Sequence, residues 1–325
     1  MSFNKTVFIP VDPDVAFALI TEPERLRRWK AVAARVDLRI GGEYRLTVTP
    51  GHSAMGTFTE IEPGKRIVYT WGWEGDGQLP PGASTVTVNL EAVDGGTTVQ
   101  LIHEGLTPEQ EAGHAEGWNH FLERLVLLAT SGDAGPDGWV AAPGPINELA
   151  SAEAALAVAQ RVLRGLRDSD MESRTPCEDF TVSGLLEHLF GSIASIAKPL
   201  GVAVADQPAA SPEVRIADAA QVTLEAFRAR GTEGSLDMGF AELPATLVAN
   251  ILNLELLVHA WDLAASTGQE LAVSPVLSEY VLGLARNTIS PSMRGTSFAA
   301  ETLVDESTAS LERLIAFTGR EVAGI

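Results

Sequence analysis

Residues 245–268 read ATLVANILNLELLVHAWDLAASTG. The run is too long for a strand, and Gly268 ends it as a glycine ends a helix. Leu247, Val248, Ile251, Leu252, Leu254, Leu256, Leu257, Val258, Trp261 and Leu263 make it apolar nearly all round. Such a helix is predicted to be buried inside a bundle. Asn250, Asn253, Glu255, His259 and Asp262 interrupt it, so it reads as a core helix and not as a membrane span.

The helical period extends outward from this segment. Upstream, Leu149, Ala152, Leu156, Ala159, Leu163 and Leu166 form one stripe. Further helices are expected over Val182–Ala197 behind a Thr181 cap, over Ala217–Arg230, from Ser274-Pro275, and over Thr308–Phe317. No strand is expected in this half. Gly132, Gly135, Gly138, Gly144, Pro136, Pro143 and Pro145 mark a linker over residues 133–146. Before it the period is two. Tyr44, Leu46 and Val48 alternate with polar residues, and Asp94-Gly95-Gly96 reads as a hairpin turn between two strands. From Pro108 to about Thr130 a helix carries Trp118, Phe121, Leu122, Leu125 and Leu128 on one face. The fold class is α+β: an antiparallel sheet domain over 1–132, then an all-α bundle over 147–325.

The chain has 325 residues and a formal net charge of −20, from 43 acidic and 23 basic residues. Such a charge repels phosphate backbones and anionic lipid, so neither nucleic acid nor membrane is expected as a partner. Cys177 is the single cysteine, and Met1–Pro10 has no basic, then apolar, signal pattern. A cytoplasmic location is the expectation.

Glu255 and His259 stand one helical turn apart in the apolar run, and burying an unpaired carboxylate costs several kcal/mol. A divalent ion would compensate both side chains. His188, in Leu185-Leu186-Glu187-His188, is the other histidine of this half and the candidate third ligand. Two nitrogens and one oxygen would leave a coordination position open, as in catalytic zinc sites. The alternative is a buried Glu–His hydrogen-bonded pair. Asp262, farther along the same row, either orients His259 or closes the site as a fourth ligand. Cys177 has acidic neighbours that raise a thiol pKa, which favours a structural role. His114 and His120 read as flank residues of the long helix.

Two resemblances add to this reading. Residues 4–130 resemble the START-like superfamily, in the branch named for the activator of Hsp90 ATPase. The likeness is carried by residues 21–29 (TEPERLRRW), Gly41-Gly42-Glu43-Tyr44, Gly56-Thr57-Phe58, Val68-Tyr69-Thr70-Trp71, His103-Glu104-Gly105-Leu106 and Gly117-Trp118. It implies a helix-grip fold, often with an apolar cavity. Residues 147–322 resemble the DinB-like bundles related to mycothiol-dependent maleylpyruvate isomerase, through Thr175-Pro176-Cys177, Phe180-Thr181-Val182, Leu185–His188, Glu255–Ala264, Thr267-Gly268-Gln269 and Leu314–Arg320. That family's metal ligands fall on His188, Glu255 and His259. The resemblance implies a divalent metal, with zinc the expected ion, and a low-molecular-weight thiol such as mycothiol as cosubstrate. It implies an isomerase or S-transferase acting on a small, partly apolar molecule. Trp71, Trp73 and Trp118 would hold the apolar part in the first domain; the alternative is that they simply fill its core. The competing expectations are a metal-dependent hydrolase, or a non-enzymatic small-molecule-binding or chaperone-associated protein with a structural metal.

Overall fold

The computed structural model describes residues 2–177, 179–295 and 297–322. The chain forms two compact units, residues 1–137 and 138–325.

The first unit runs β1 (Ser2–Ile9), α1 (Pro13–Thr21), α2 (Pro23–Leu26), β2 (Ala33–Val36), β3 (Glu43–Thr49), β4 (His52–Glu62), β5 (Arg66–Trp73), β6 (Ser84–Val93), β7 (Gly96–Glu104) and α3 (Pro108–Ser131). All seven strands pair antiparallel in one sheet of order β1-β7-β6-β5-β4-β3-β2. The termini of α3 are set by local chemistry. Thr107 and Gln110 form a reciprocal capping box, Pro108 takes the first helical position, and Gly132 closes the helix at φ 82°. Trp118, Phe121, Leu122, Leu125 and Leu128 of α3 are buried in one core with Ile67, Trp71, Val86 and Leu101 of the sheet. Each such aliphatic or aromatic side chain stabilises the unit by about 1.5–3 kcal/mol.

Residues beyond α3 still belong to this unit, although their composition reads as linker. Arg124 of α3 donates to the carbonyls of Ala134, Gly135 and Pro136. It also pairs with Asp137, which accepts from His120 at 3.0 Å.

The second unit runs α4 (Gly138–Ala141), α5 (Glu148–Arg164), α6 (Val182–Ala197), α7 (Pro212–Arg230), β8 (Ser235–Asp237), β9 (Glu242–Pro244), α8 (Ala245–Thr267), α9 (Pro275–Thr288) and α10 (Ser310–Phe317). Helix α8 packs against α5, α6 and α9. By length and composition it could cross a membrane, but 78% of its most apolar window is buried. Two buried carboxylates clip α5 to α7: Glu153 accepts from Arg228, and Glu213 accepts from Arg164.

One expectation fails here. The unit is not all-α, because β8 and β9 pair as a short hairpin in a region expected to hold no strand. Gly239 turns it at φ 85°, and Leu236 lies opposite Leu243. Strands of three residues are too short to show a period of two.

Candidate metal centre

Helix α6 starts where the Thr181 hydroxyl accepts from the Gly184 amide. Two turns along, it presents His188, whose ring lies 5.0 Å from that of Phe180. Helix α8 presents Glu255 and His259. The three expected ligands are brought together: their nearest donor atoms all lie within 4.8 Å of one another. His188 Nε2 is 3.4 Å and His259 Nε2 3.5 Å from the same oxygen, Glu255 Oε2. That oxygen is buried and, among the described residues, has no hydrogen-bond partner. A tetrahedral ion with ligands at about 2.1 Å holds them about 3.4 Å apart. The two nitrogen–oxygen separations match that spacing.

Behind the three lies a polar chain that fixes His259. Asp262 Oδ2 accepts from His259 Nδ1 at 2.9 Å. Both Asp262 oxygens accept from Arg320, Oδ1 from Nε and Oδ2 from Nη2, each at 2.7 Å. With its Nδ1–H on Asp262, His259 turns Nε2 toward Glu255. Asp262 is fully buried and committed to Arg320 and Nδ1, so it orients His259 and is not free to act as a further candidate ligand.

Electrostatics follow from this arrangement. Burial pushes the Glu255 carboxyl up, but the His188 and His259 rings outweigh it and hold the group down to about 2. Burial disfavours a charged His259, yet Asp262 and Glu255 raise it to about 9. Asp262 is held below the usual carboxylate range, because Arg320 and His259 outweigh its burial. Arg320 neutralises Asp262. The charge on Glu255 then calls for one more cation, a proton on His259 or a metal ion. Cys177 lies within electrostatic reach of Arg320, Asp262 and Glu255 but outside the three-residue cluster. Burial, ahead of its acidic neighbours, raises its thiol, while Arg320 opposes the rise.

Arg320 is the residue that sequence reasoning did not place in the site. Its segment was legible, but nothing in a pattern pairs it with a carboxylate 58 positions away. Gly319 delivers it at φ 88°, where a Cβ would meet the Ala299 backbone and Cβ at 2.8 Å. Gly319→Ala is expected to cost about 1–3 kcal/mol in a thermal melt. An unchanged melting temperature would show that the turn relaxes freely.

In the first unit the three tryptophans also meet. Trp71 lies 5.5 Å from Trp73 and 5.3 Å from Trp118, centroid to centroid. Trp118 donates to His103 Nδ1 at 3.0 Å, and Trp73 donates to His114 Nε2 at 3.2 Å. Trp71 and Trp118 are buried, and Trp73 is half-buried.

The sequence pattern of the family "Activator of Hsp90 ATPase homolog 1-like protein" matches residues 10–130. Uncharacterized protein Rv0738 of Mycobacterium tuberculosis is 31% identical over 167 residues, covering 50% of this chain and 91% of its own. Half of the chain is more than the first unit holds, so that match includes residues of the helical unit. The AHSA1-like protein RHE_CH02687 of Rhizobium etli is 37% identical, covering 45% of this chain and 92% of its own, with a TM-score of 0.37. Protein CV1439 of Chromobacterium violaceum is 25% identical, covering 42% and 98%, with a TM-score of 0.36. The chain belongs to the family of the mycobacterial protein Rv0738, and its N-terminal part is an AHSA1-like, START-like domain.

Proposed function

We propose that the helical unit is a DinB-like metal centre and that the chain is a metal-dependent isomerase or S-transferase of the thiol-using type. The observation that carries this reading is the buried Glu255 oxygen, without a hydrogen bond among the described residues, faced by ring nitrogens from two helices. His188, Glu255 and His259 would hold the ion, zinc by the ligand types. When bound, such an ion supplies Lewis-acid charge that favours the thiolate form of a thiol such as mycothiol. The chain's own residues do the rest. Asp262 keeps the proton of His259 on Nδ1, and Arg320 keeps Asp262 ionised. His188 and Phe180 are only half-buried, so a small molecule approaches from their side. In this reading the AHSA1-like unit binds a small, partly apolar molecule, with Trp71, Trp73 and Trp118 as its candidate aromatic residues. The same ligand set also suits a metal-dependent hydrolase, and the absence of saturable thiol binding would favour it.

Elemental analysis and zinc titration of the full chain test the metal. The wild type is expected to take up one equivalent and to melt higher with zinc. Glu255→Gln should lose at least about tenfold in affinity. Cys177→Ser should keep its metal. If the wild type binds no metal and zinc leaves its melting temperature unchanged, the three residues are a buried Glu–His cluster and the catalytic reading fails.

The family matched by residues 10–130 favours a second reading. The chain would then bind a small molecule or act as an ATPase activator, with a structural metal. Full metal occupancy without saturable thiol binding or turnover would support that reading.

A further inference from the structure

The two histidines of the metal centre are held in different ways. His259 is buried, and its Nδ1 donates to Asp262. His188 stands on the other helix with its side chain 36% exposed. Its Nε2 faces Glu255, and among the described residues its Nδ1 has no hydrogen bond. A histidine ligand ordinarily gives its second nitrogen to an acceptor, which fixes the ring. Around His188 aromatic rings stand in that place. Its centroid is 5.0 Å from that of Phe180, with the planes tilted by 32°, and 5.1 Å from that of His259, edge to face. At such separations aromatic rings attract one another.

The sequence builds the Phe180 contact. Phe180, Gly184 and His188 follow one another at intervals of four, along one row of α6. A Cβ on Gly184 would touch Phe180 Cδ1 at 3.4 Å, so the ring crosses the helix where no side chain stands. The backbone beneath the ring is tied on both sides. The Phe180 N–H donates to the Cys177 carbonyl at 2.9 Å. Its carbonyl accepts from the Thr175 amide at 3.1 Å and from the Thr175 hydroxyl at 3.0 Å. Among the described residues the ring meets no aromatic group besides His188.

We propose that Phe180 is the positioning residue of His188: its ring takes over from the missing acceptor and holds Nε2 toward Glu255. This rests on the reading of the cluster as a metal centre. Packing alone would be served by any apolar side chain. An aromatic ring adds a face of negative potential. Coordination drains electrons from an imidazole, which such a face then attracts as it attracts a cation. The contact therefore strengthens when His188 is a ligand, and it contributes to metal affinity beyond folding.

Zinc affinity of the full chain, measured by competition with a chelating dye, tests the proposal beside the melting temperature of the metal-free protein. Phe180→Leu keeps an apolar side chain and removes the π face. It is expected to weaken zinc about 3- to 10-fold while the metal-free melting temperature changes little. Phe180→Tyr keeps the ring and should stay within about twofold of the wild type. Phe180→Ile serves if Phe180→Leu does not fold. If Phe180→Leu binds zinc as the wild type does, or Phe180→Tyr loses as much as Phe180→Leu, the proposal falls and the metal centre stands. A metal-free melting temperature that drops in step with the affinity assigns Phe180 to folding and also overturns it. If the wild type takes up no zinc, the metal reading fails and this inference falls with it.

Discussion

Asp262→Ala is expected to lower the folding stability of the helical unit by about 3–5 kcal/mol, because it leaves a buried guanidinium with no counter-charge. Asp262 is fully buried and Arg320 is 9% exposed. The bidentate pair between them is bonded at 2.7 Å on both arms. Truncating one partner of such a pair costs far more than the pair is worth intact. The companion experiment is therefore the double replacement Asp262→Leu with Arg320→Met, which should recover much of the loss. Urea unfolding of the full chain measures both. A single-variant loss under about 1 kcal/mol would mean that water reaches Arg320 and the site is not closed behind His259. The pair also sets an acid limit. The native pKa of Asp262 lies below its unfolded value. Its contribution is complete above the ordinary carboxylate range and is lost as pH falls through the native value. Zinc affinity should fall about 10- to 100-fold in the single variant, since His259 loses the partner that orients it.

Lys30→Met should act in the opposite direction and stabilise the first unit, by about 4 kcal/mol at pH 6. The native pKa of Lys30 is about 7 against an ordinary 10.5, because the amine is buried. The folded chain thus binds fewer protons than the unfolded chain between those two values, and wild-type stability rises with pH across that window. Below pH 7 the penalty of burying the ammonium is present in full. By pH 10 most of it is gone, because the folded amine is then neutral and the pH is close to the unfolded value, where little further penalty remains to be relieved. Methionine fills similar volume without charge and replaces the ammonium–ring contacts with sulfur–aromatic ones. The gain over wild type should therefore be large at pH 6 and small at pH 10, read from tryptophan fluorescence in urea. A gain that does not change with pH would show that packing, not charge, is responsible.

The parts of this molecule that were legible in the sequence are those where one element carries the whole signal. The α3 face from Trp118 to Leu128 repeats at helical spacing and is the buried face observed. Glu255 and His259 stood out as a charged residue and a histidine one turn apart in a helix otherwise apolar nearly all round, and the structure brings them to His188. The hairpin at 235–244 was not legible, because three-residue strands have no period to read. Arg320 was not legible as a site residue either. Its role exists only through a bond to a helix far back in the chain. Lys30 follows Arg25, Arg27 and Arg28 at the end of a basic stretch, so its neighbours read as solvated charge. Its burial follows from the way the turn after α2 folds under the tryptophans, a tertiary event that no local pattern records.

The reach of Arg124 decides where the protein can be divided. A cut at Gly132 follows the helix end and looks natural by composition. It would remove three carbonyl acceptors and the Asp137 carboxylate from one guanidinium. It would also strip off buried Ala134. Limited proteolysis should accordingly spare residues 133–137. A fragment meant to report on the AHSA1-like unit has its natural end at Asp137, five residues past the helix cap, so that Arg124 takes its own acceptors with it.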